Sequence, residues 1–182
     1  LVQFGKQAVA ATATTAAVNA VEYTAADFAF TAGSADDQIT TGSANVNAGA
    51  GNDVITTGKA TGTITGGAGS DTFKIGHNAT IADLGATDIL QVTAGTVTVN
   101  VVESFTATAA TTNAATTTLN LKDGVNVDMT LATLTAAANG YTINTDAAVT
   151  KGATIVGSRG DDTITGSKFA DTITGGEGAD TI

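Results

Sequence analysis

An interval of nine residues recurs in two parts of this sequence and restricts what the chain can fold into. Near the C-terminus the blocks GSRGDDTIT, GSKFADTIT and GGEGADTI follow one another without a gap. Their aspartates lie nine residues apart, as do the apolar residues two positions further on: Asp162, Asp171, Asp180 and Ile164, Ile173, Ile182. A fixed short period predicts stacked repeats, each one structural unit that buries its apolar residue only against its neighbours.

A second array of the same kind lies nearer the N-terminus. It contains the blocks AGSADDQIT, AGAGNDVIT and GGAGSDTFK, whose aspartates are Asp37, Asp53 and Asp71. The apolar positions between and within these blocks are also nine apart: Val46, Ile55, Ile64 and Phe73. The step from Ile39 to Val46 is only seven residues, which predicts one shortened turn.

The glycines and the aspartate of each block have three possible interpretations: a flexible linker, a phosphate-binding loop or a metal-binding turn. For a single aspartate a fourth remains open, a turn cap without metal, above all at Asp37 and Asp171, where SA and KF replace glycine. A linker would not keep an apolar residue in register, and a phosphate loop needs a following helix and a Lys-Ser/Thr pair, which GGAGSDTFK lacks. Glycine permits the positive φ angles that turn backbone carbonyls toward one point. Calcium requires six to eight oxygen ligands, which such a turn and an aspartate supply together. The metal-binding turn is therefore favoured.

The order Gly-Gly-x-Gly-x-Asp-x-apolar, read from Gly66, resembles the nonapeptide repeat of the RTX (repeats-in-toxin) family. The resemblance implies a parallel β-roll in which each nonapeptide forms a turn and a short strand, and two nonapeptides complete one coil. It also implies that calcium lies between stacked turns, bound by aspartates and backbone carbonyls. The positions that match the metal-binding part of the repeat are Asp37, Gly49, Gly51, Asp53, Gly67, Gly69, Asp71, Gly160, Asp162, Asp171, Gly176, Gly178 and Asp180.

If two nonapeptides form one coil, residues two repeats apart lie on the same side of the roll. The pairs Asp53–Asp71 and Asp162–Asp180 have this spacing and are predicted to flank calcium. With the shortened turn, Asp37 is expected to join the first column. The opposite side of the first array has Gly62 where an aspartate is expected, so metal is predicted on one side only.

The remaining segments divide the chain into four predicted parts. Residues 1–32 form an N-terminal β-rich lead-in, 33–75 a first RTX-like roll, 76–152 a β-rich insert, and 153–182 a second, truncated roll. Alternating apolar residues predict strands in the insert, in DILQV, TVTVNVV, TTTLNL, VNVDMTL and YTIN. Residues 131–140 are compatible with one short helix, and the first roll is expected to end near residue 75, with Phe73 closing the stack. Whether the insert continues one solenoid or forms a separate sandwich is left open.

The fold class that follows is all-β, with parallel β-roll segments flanking a β-rich insert. A net charge of −10, with seven basic residues, argues against nucleic acid as a partner and favours multivalent cations. The chain has no cysteine, so it has neither disulfides nor a thiolate metal site. Asp83 and Asp88 follow the first array and are interpreted as structural.

The predicted function is structural, with calcium as the cofactor and no catalytic residues. Acidic, cysteine-free chains rich in threonine, alanine and glycine that carry RTX repeats resemble bacterial surface-layer (S-layer) proteins. This resemblance implies a secreted or cell-surface location, self-assembly with identical subunits, and polysaccharide anchoring elsewhere in the parent chain. The alternative is the calcium-binding region of a large RTX adhesin, toxin or exported enzyme. Proteins of this family are generally exported by type I secretion.

Overall fold

Short runs of alternating apolar and polar residues form the strands of this protein, as expected for chains rich in threonine and valine. A computed structural model describes residues 21–23, 29–42, 45–58, 62–136 and 139–182. Nineteen strands lie in these ranges, and no helix does. In chain order the strands are Val21–Tyr23 (β1), Ala29–Thr31 (β2), Gln38–Thr41 (β3), Asn45–Ala50 (β4), Val54–Thr57 (β5), Thr63–Ala68 (β6), Thr72–Ile75 (β7), Ala79–Leu84 (β8), Ile89–Val92 (β9), Thr96–Val101 (β10), Phe105–Thr106 (β11), Thr112–Asn113 (β12), Thr116–Leu121 (β13), Val127–Asp128 (β14), Thr133–Leu134 (β15), Tyr141–Thr145 (β16), Thr154–Val156 (β17), Thr163–Thr165 (β18) and Thr172–Thr174 (β19).

The strands stack into three parallel sheets that form the faces of one β-solenoid. Sheet A has the order β1-β3-β5-β7-β9-β12-β15, sheet B the order β18-β16-β13-β10-β8-β6-β4-β2, and sheet C the order β11-β14-β17-β19. Every described strand pair is parallel. The predicted all-β class and parallel β-roll are therefore confirmed.

The lead-in predicted for residues 1–32 lies mostly outside the described residues. Its described parts contain β1 and β2, which pair with β3 of sheet A and β4 of sheet B. These two strands therefore belong to the same solenoid as the first array.

A file of apolar side chains from successive coils fills the interior. Along sheet B the residues in register are Phe30, Val46, Ile64, Ile81, Val99, Leu119, Ile143 and Ile164, all buried. Sheet A contributes Ile39, Ile55, Phe73 and Leu90. Successive side chains of a strand point to opposite faces, so one apolar residue in two is enough to supply this core.

The cross-section of the solenoid changes along its axis. Residues 29–92 alternate between sheets B and A, and residues 141–174 alternate between sheets B and C. Between them, two coils visit all three sheets, because β11 and β14 add a third face. These coils contain more residues than two nonapeptides, as the pairing of Val97 with Thr117 and of Thr117 with Tyr141 shows.

The structure decides the question left open for residues 76–152. Strands β8 to β16 continue sheets A and B and begin sheet C, so the segment is part of the same solenoid and not a separate sandwich. The expectation that the stack ends at Phe73 is wrong, because Leu90 lies in register beside it. The five strands predicted in this segment are present as β9, β10, β13, β14 and β16.

The short helix considered for residues 131–140 is not formed in the described part of that range. Thr133–Leu134 forms strand β15 there and pairs with β12. Threonine lowers helix propensity. The edge of β12 instead offers hydrogen-bond partners to the backbone of this segment, which therefore forms a strand. Among the described residues, no helix is long and apolar enough to cross a membrane.

Candidate metal centre

A column of aspartates runs along the solenoid where the chain passes from sheet B to sheet A. The amide of Asp37 donates to Oδ1 of Asp53 at 2.8 Å, and the amide of Asp53 donates to Oδ1 of Asp71 at 2.9 Å. Asp71 continues the series by donating to Oδ1 of Asp88 at 2.9 Å. The repeat spacing thus brings Asp37, Asp53 and Asp71 together in one column, as the sequence predicts.

These carboxylates are buried, although each is an ionisable group. The exposed fraction is 2% for Asp37, 1% for Asp53 and Asp71, and 8% for Asp88. Burial raises the pKa of Asp53 to about 6, against the opposing effect of the Asp37 amide, and neighbouring aspartates raise it further. Burial also raises the pKa of Asp71 and of Asp88. The column therefore lacks the counter-charge that stabilises buried carboxylates.

Three of the buried carboxylates keep one oxygen without any hydrogen-bond donor. Oδ2 of Asp53 and Oδ2 of Asp71 are buried and have no partner, and the same holds for Oδ1 of Asp37. Buried polar atoms in proteins almost always have a partner, so such an atom requires a specific explanation. A bound cation supplies one, since it satisfies the oxygen and compensates the buried charge.

The glycines of the first array adopt a backbone conformation that other residues rarely take. The φ angles are +109° at Gly49, +121° at Gly51, +101° at Gly67 and +135° at Gly69. A Cβ atom at Gly67 or Gly69 would overlap the carbonyl oxygen of Gly49 or Gly51 in the neighbouring coil. Backbone carbonyl oxygens thus face the stacked turns, which provides the oxygen-rich surroundings that calcium prefers.

The second array places its aspartates on two different corners of the solenoid. The amide of Asp162 donates to Oδ1 of Asp180 at 3.0 Å, so this pair forms a column as predicted. Asp171 lies on the other corner and accepts a hydrogen bond from the amide of Ala153 at 2.7 Å. Asp162 precedes a strand of sheet B, whereas Asp53 and Asp71 precede strands of sheet A. The columns of the two arrays are therefore not continuous.

Only one described turn of the second array shares the backbone conformation of the first array. Gly176 and Gly178 have φ angles of +111° and +113°, whereas Gly160 has no positive φ. The amide of Gly160 instead donates to Oγ of Ser158 at 3.1 Å. Turns 48–53, 66–71 and 175–180 are called glycine turns below. Turns 157–162 and 166–171 are called serine turns.

Two acidic residues beyond the first array, interpreted from the sequence as structural, contact its last turn. Asp88 is the next member of the column, and Leu90 follows it as Phe73 follows Asp71. Asp83 accepts hydrogen bonds from the amides of Gly66 and Gly67, both at 2.9 Å. The signal for Asp88 was its position about one coil after Asp71, with an apolar residue two positions further on.

Carboxylates alone do not form a metal site in the part of the chain that the structure describes, because no three His, Cys, Asp or Glu side chains converge there. A cation at the glycine turns would thus be bound by Asp53 or Asp71 together with backbone carbonyls. This ligand set contains oxygen only, which suits calcium and does not suit softer metals.

Comparison with known proteins agrees with this geometry. A family model of the RTX calcium-binding nonapeptide repeat matches residues 39–73 and 154–182, in four copies. The chain therefore carries RTX calcium-binding repeats, arranged as a parallel β-roll, and calcium is their cofactor. No curated protein and no solved structure matches the chain.

The class of protein that follows is a calcium-binding structural module of a secreted protein. RTX repeat proteins are typically exported, which indicates an extracellular or surface location. Calcium at the glycine turns would neutralise the buried carboxylates. The residues that fit it best are Asp53 and Asp71, with the carbonyls of the glycine turns around them.

Proposed function

We propose that this chain is a calcium-stiffened module of a bacterial S-layer protein, and that it acts as a structural element and not as an enzyme. The observation that carries the proposal is the pair of buried, unpartnered carboxylate oxygens of Asp53 and Asp71 inside a continuous solenoid. A cation at these positions removes the electrostatic repulsion and leaves a rigid stack. Rigidity that depends on external calcium suits a structural layer on the outside of the cell.

Composition and surface support a lattice role. The strands of sheet B place threonine outward in successive coils, as in the register Thr80, Thr98, Thr118, Thr142 and Thr163. The chain carries 17 acidic and seven basic residues. Such acidic, weakly apolar surfaces repel one another until a divalent cation screens or bridges them, which links self-assembly with identical subunits to calcium.

Two further roles are proposed for the parent protein and not for this solenoid. Export by type I secretion would deliver the chain to a calcium-rich exterior, where the coils around Asp53 and Asp71 gain their stability from the metal. Anchoring to a cell-surface polysaccharide would be carried by other parts of the parent chain.

Electron microscopy of the full-length protein with and without calcium tests the S-layer proposal. The expected result is ordered two-dimensional sheets in calcium and dispersed particles in a chelator. A protein that stays monomeric in saturating calcium would contradict the proposal. Binding of a ligand by that monomer would instead favour the adhesin, toxin or exported-enzyme alternative.

A further inference from the structure

In the two serine turns both carboxylate oxygens of the aspartate accept hydrogen bonds, whereas in the glycine turns at Asp53 and Asp71 one oxygen accepts none. In the first serine turn, Oγ of Ser158 lies 3.1 Å from Oδ1 and 3.0 Å from Oδ2 of Asp162, and the amide of Ser158 donates to Oδ2 at 2.6 Å. The amide of Tyr141 donates to Oδ1 at 2.6 Å. Both oxygens of Asp162 are therefore hydrogen-bonded, although its exposed fraction is only 1%. Burial raises the pKa of Asp162, and the hydrogen bonds from Tyr141 and Ser158 oppose that rise.

The second serine turn repeats this arrangement nine residues later. Oγ of Ser167 lies 3.1 Å from each oxygen of Asp171, and the amide of Ser167 donates to Oδ2 at 2.6 Å. The amide of Ala153 donates to Oδ1. These hydrogen bonds lower the pKa of Asp171, with the Ala153 amide as the largest cause. The carboxylate is thus stabilised in its charged form by protein groups alone.

The serine hydroxyl also fixes the backbone of its own turn. Oγ of Ser158 accepts the amide of Gly160, and Oγ of Ser167 accepts the amide of Phe169 at 3.0 Å. Such contacts from a hydroxyl to the amide two residues on are a known turn-forming device. Neither serine has a positive φ, whereas Gly67 and Gly176, which hold the same place in their blocks, have φ angles of +101° and +111°.

From this difference we propose that Ser158 and Ser167 replace calcium as the partner of Asp162 and Asp171, so that the serine turns keep their shape without metal. The proposal rests on the binding of calcium at the glycine turns. It makes the second residue of each block the determinant of metal dependence. A glycine there leaves the buried Asp53 and Asp71 oxygens unpartnered, and a serine there closes the turn.

The consequence is a solenoid whose parts respond differently to calcium. Residues 141–174 contain both serine turns and are expected to hold their structure in a chelator. At neutral pH, the coils around Asp53 and Asp71 are expected to be much less stable in a chelator than in calcium. A preformed segment of this kind offers an edge on which adjacent coils can stack, since solenoid coils are stabilised by their neighbours.

Calcium stoichiometry and thermal melting of matched variants of the whole chain test the proposal. Asp71→Asn is expected to lose at least one bound calcium ion, whereas Asp162→Asn and Asp171→Asn are expected to keep the wild-type number. Ser158→Ala and Ser167→Ala are expected to lower the melting temperature by the same amount in chelator and in saturating calcium. Ser167→Thr, which keeps the hydroxyl, is expected to melt like the wild type in the chelator.

Loss of a calcium ion in Asp162→Asn or Asp171→Asn would overturn the proposal. So would a serine variant whose lost stability is restored by calcium, because the metal would then occupy the freed carboxylate. A wild-type chain that binds no calcium would instead contradict calcium binding at the glycine turns. In that case serine replaces no metal, and the proposal is wrong. The melting temperatures of the serine variants in chelator would then report only how much the hydroxyl stabilises each turn.

Discussion

The amide of Asp53 donates a hydrogen bond to Oδ1 of Asp71, which lies 2.9 Å away and one coil further along the chain. Each aspartate of the column from Asp53 onward thereby accepts, with one carboxylate oxygen, a hydrogen bond from a backbone amide of the coil before it. At Asp53 and Asp71 the second oxygen is buried without a donor. The hydrogen bonds of the column therefore hold adjacent coils together, while its negatively charged carboxylates repel one another. A bound cation would remove this repulsion and leave the hydrogen bonds in place.

Calcium is expected to raise the thermal stability of the chain substantially. One site adds about 2.7 kcal/mol when free calcium is 100 times the dissociation constant. For a chain of this size that corresponds to a rise of roughly 5–11 °C in melting temperature. Circular dichroism during a calcium titration of a chelated sample measures the change. An unchanged β-sheet spectrum and an unchanged melting temperature would contradict the prediction, and titration with magnesium serves as the control.

Without calcium, the chain is expected to be more stable in mild acid than at neutral pH. The pKa of Asp53 is raised by burial to about 6, and that of Asp71 is raised in the same direction. The folded state thus binds more protons than the unfolded state between about pH 4 and pH 6. The stability present below this window is lost as the pH rises through it.

Melting in chelator across this pH range checks the prediction. The melting temperature should fall from pH 4 to pH 7 without calcium. The gain from calcium should grow over the same range, because the metal binds the ionised carboxylates. A calcium-free melting temperature that rises steadily toward pH 7 would show that the lowered pKa values of groups outside the column, such as Asp146 beside Lys122, dominate instead.

Replacement of Asp71 by asparagine is expected to reduce calcium stoichiometry or affinity. Asparagine keeps the size of the side chain and the acceptor for the Asp53 amide, but it removes the charge that binds the cation. Equilibrium dialysis with calcium gives the readout. Asp128→Asn is the control, since Asp128 lies in β14 of sheet C and its carboxylate accepts a hydrogen bond from the amide of Thr130. Equal losses in both variants would rule out the column as the main site.

Replacement of Gly67 by alanine is expected to destabilise the chain by more than about 1 kcal/mol. Its φ of +101° is unfavourable for alanine, and the added Cβ would overlap the carbonyl oxygen of Gly49. Denaturant unfolding in calcium measures the loss. Gly85→Ala is the matched control, because its Cβ would meet nothing closer than Oδ2 of Asp88 at 3.4 Å. A Gly67 variant as stable as the control would mean that the turn can adopt another conformation.

Replacement of Phe73 by alanine is expected to cost about 3–5 kcal/mol, the usual range for a fully buried phenylalanine. Phe73 has no exposed surface and lies between Ile55 and Leu90 in sheet A. Thr72→Ala, in the preceding position and pointing outward, is expected to cost little. Calcium-saturated unfolding curves of the two variants compare them directly. A loss below about 1 kcal/mol for Phe73→Ala would show that the coils close over the vacant space.

The sequence by itself determined the repeating coil, the apolar file and the aspartate columns. The period of nine residues predicts which residues face inward and which aspartates lie one coil apart. Ile55 and Phe73 illustrate the first, and Asp53 and Asp71 the second. These relationships are local to each repeat and its neighbour. They follow from strand alternation and turn length, so they can be read without knowledge of the rest of the chain.

Only the tertiary structure decided how residues 76–152 continue the solenoid. Their coils lengthen unequally as the third face enters, so no fixed period marks them, although Val97 and Thr117 lie in register just as Ile55 and Phe73 do. Only the tertiary structure, likewise, shows that the hydroxyl of Ser158 hydrogen-bonds the carboxylate of Asp162. A hydroxyl in a repeat becomes the partner of a carboxylate only when the turn brings the two within hydrogen-bond distance, and that distance is a property of the folded backbone.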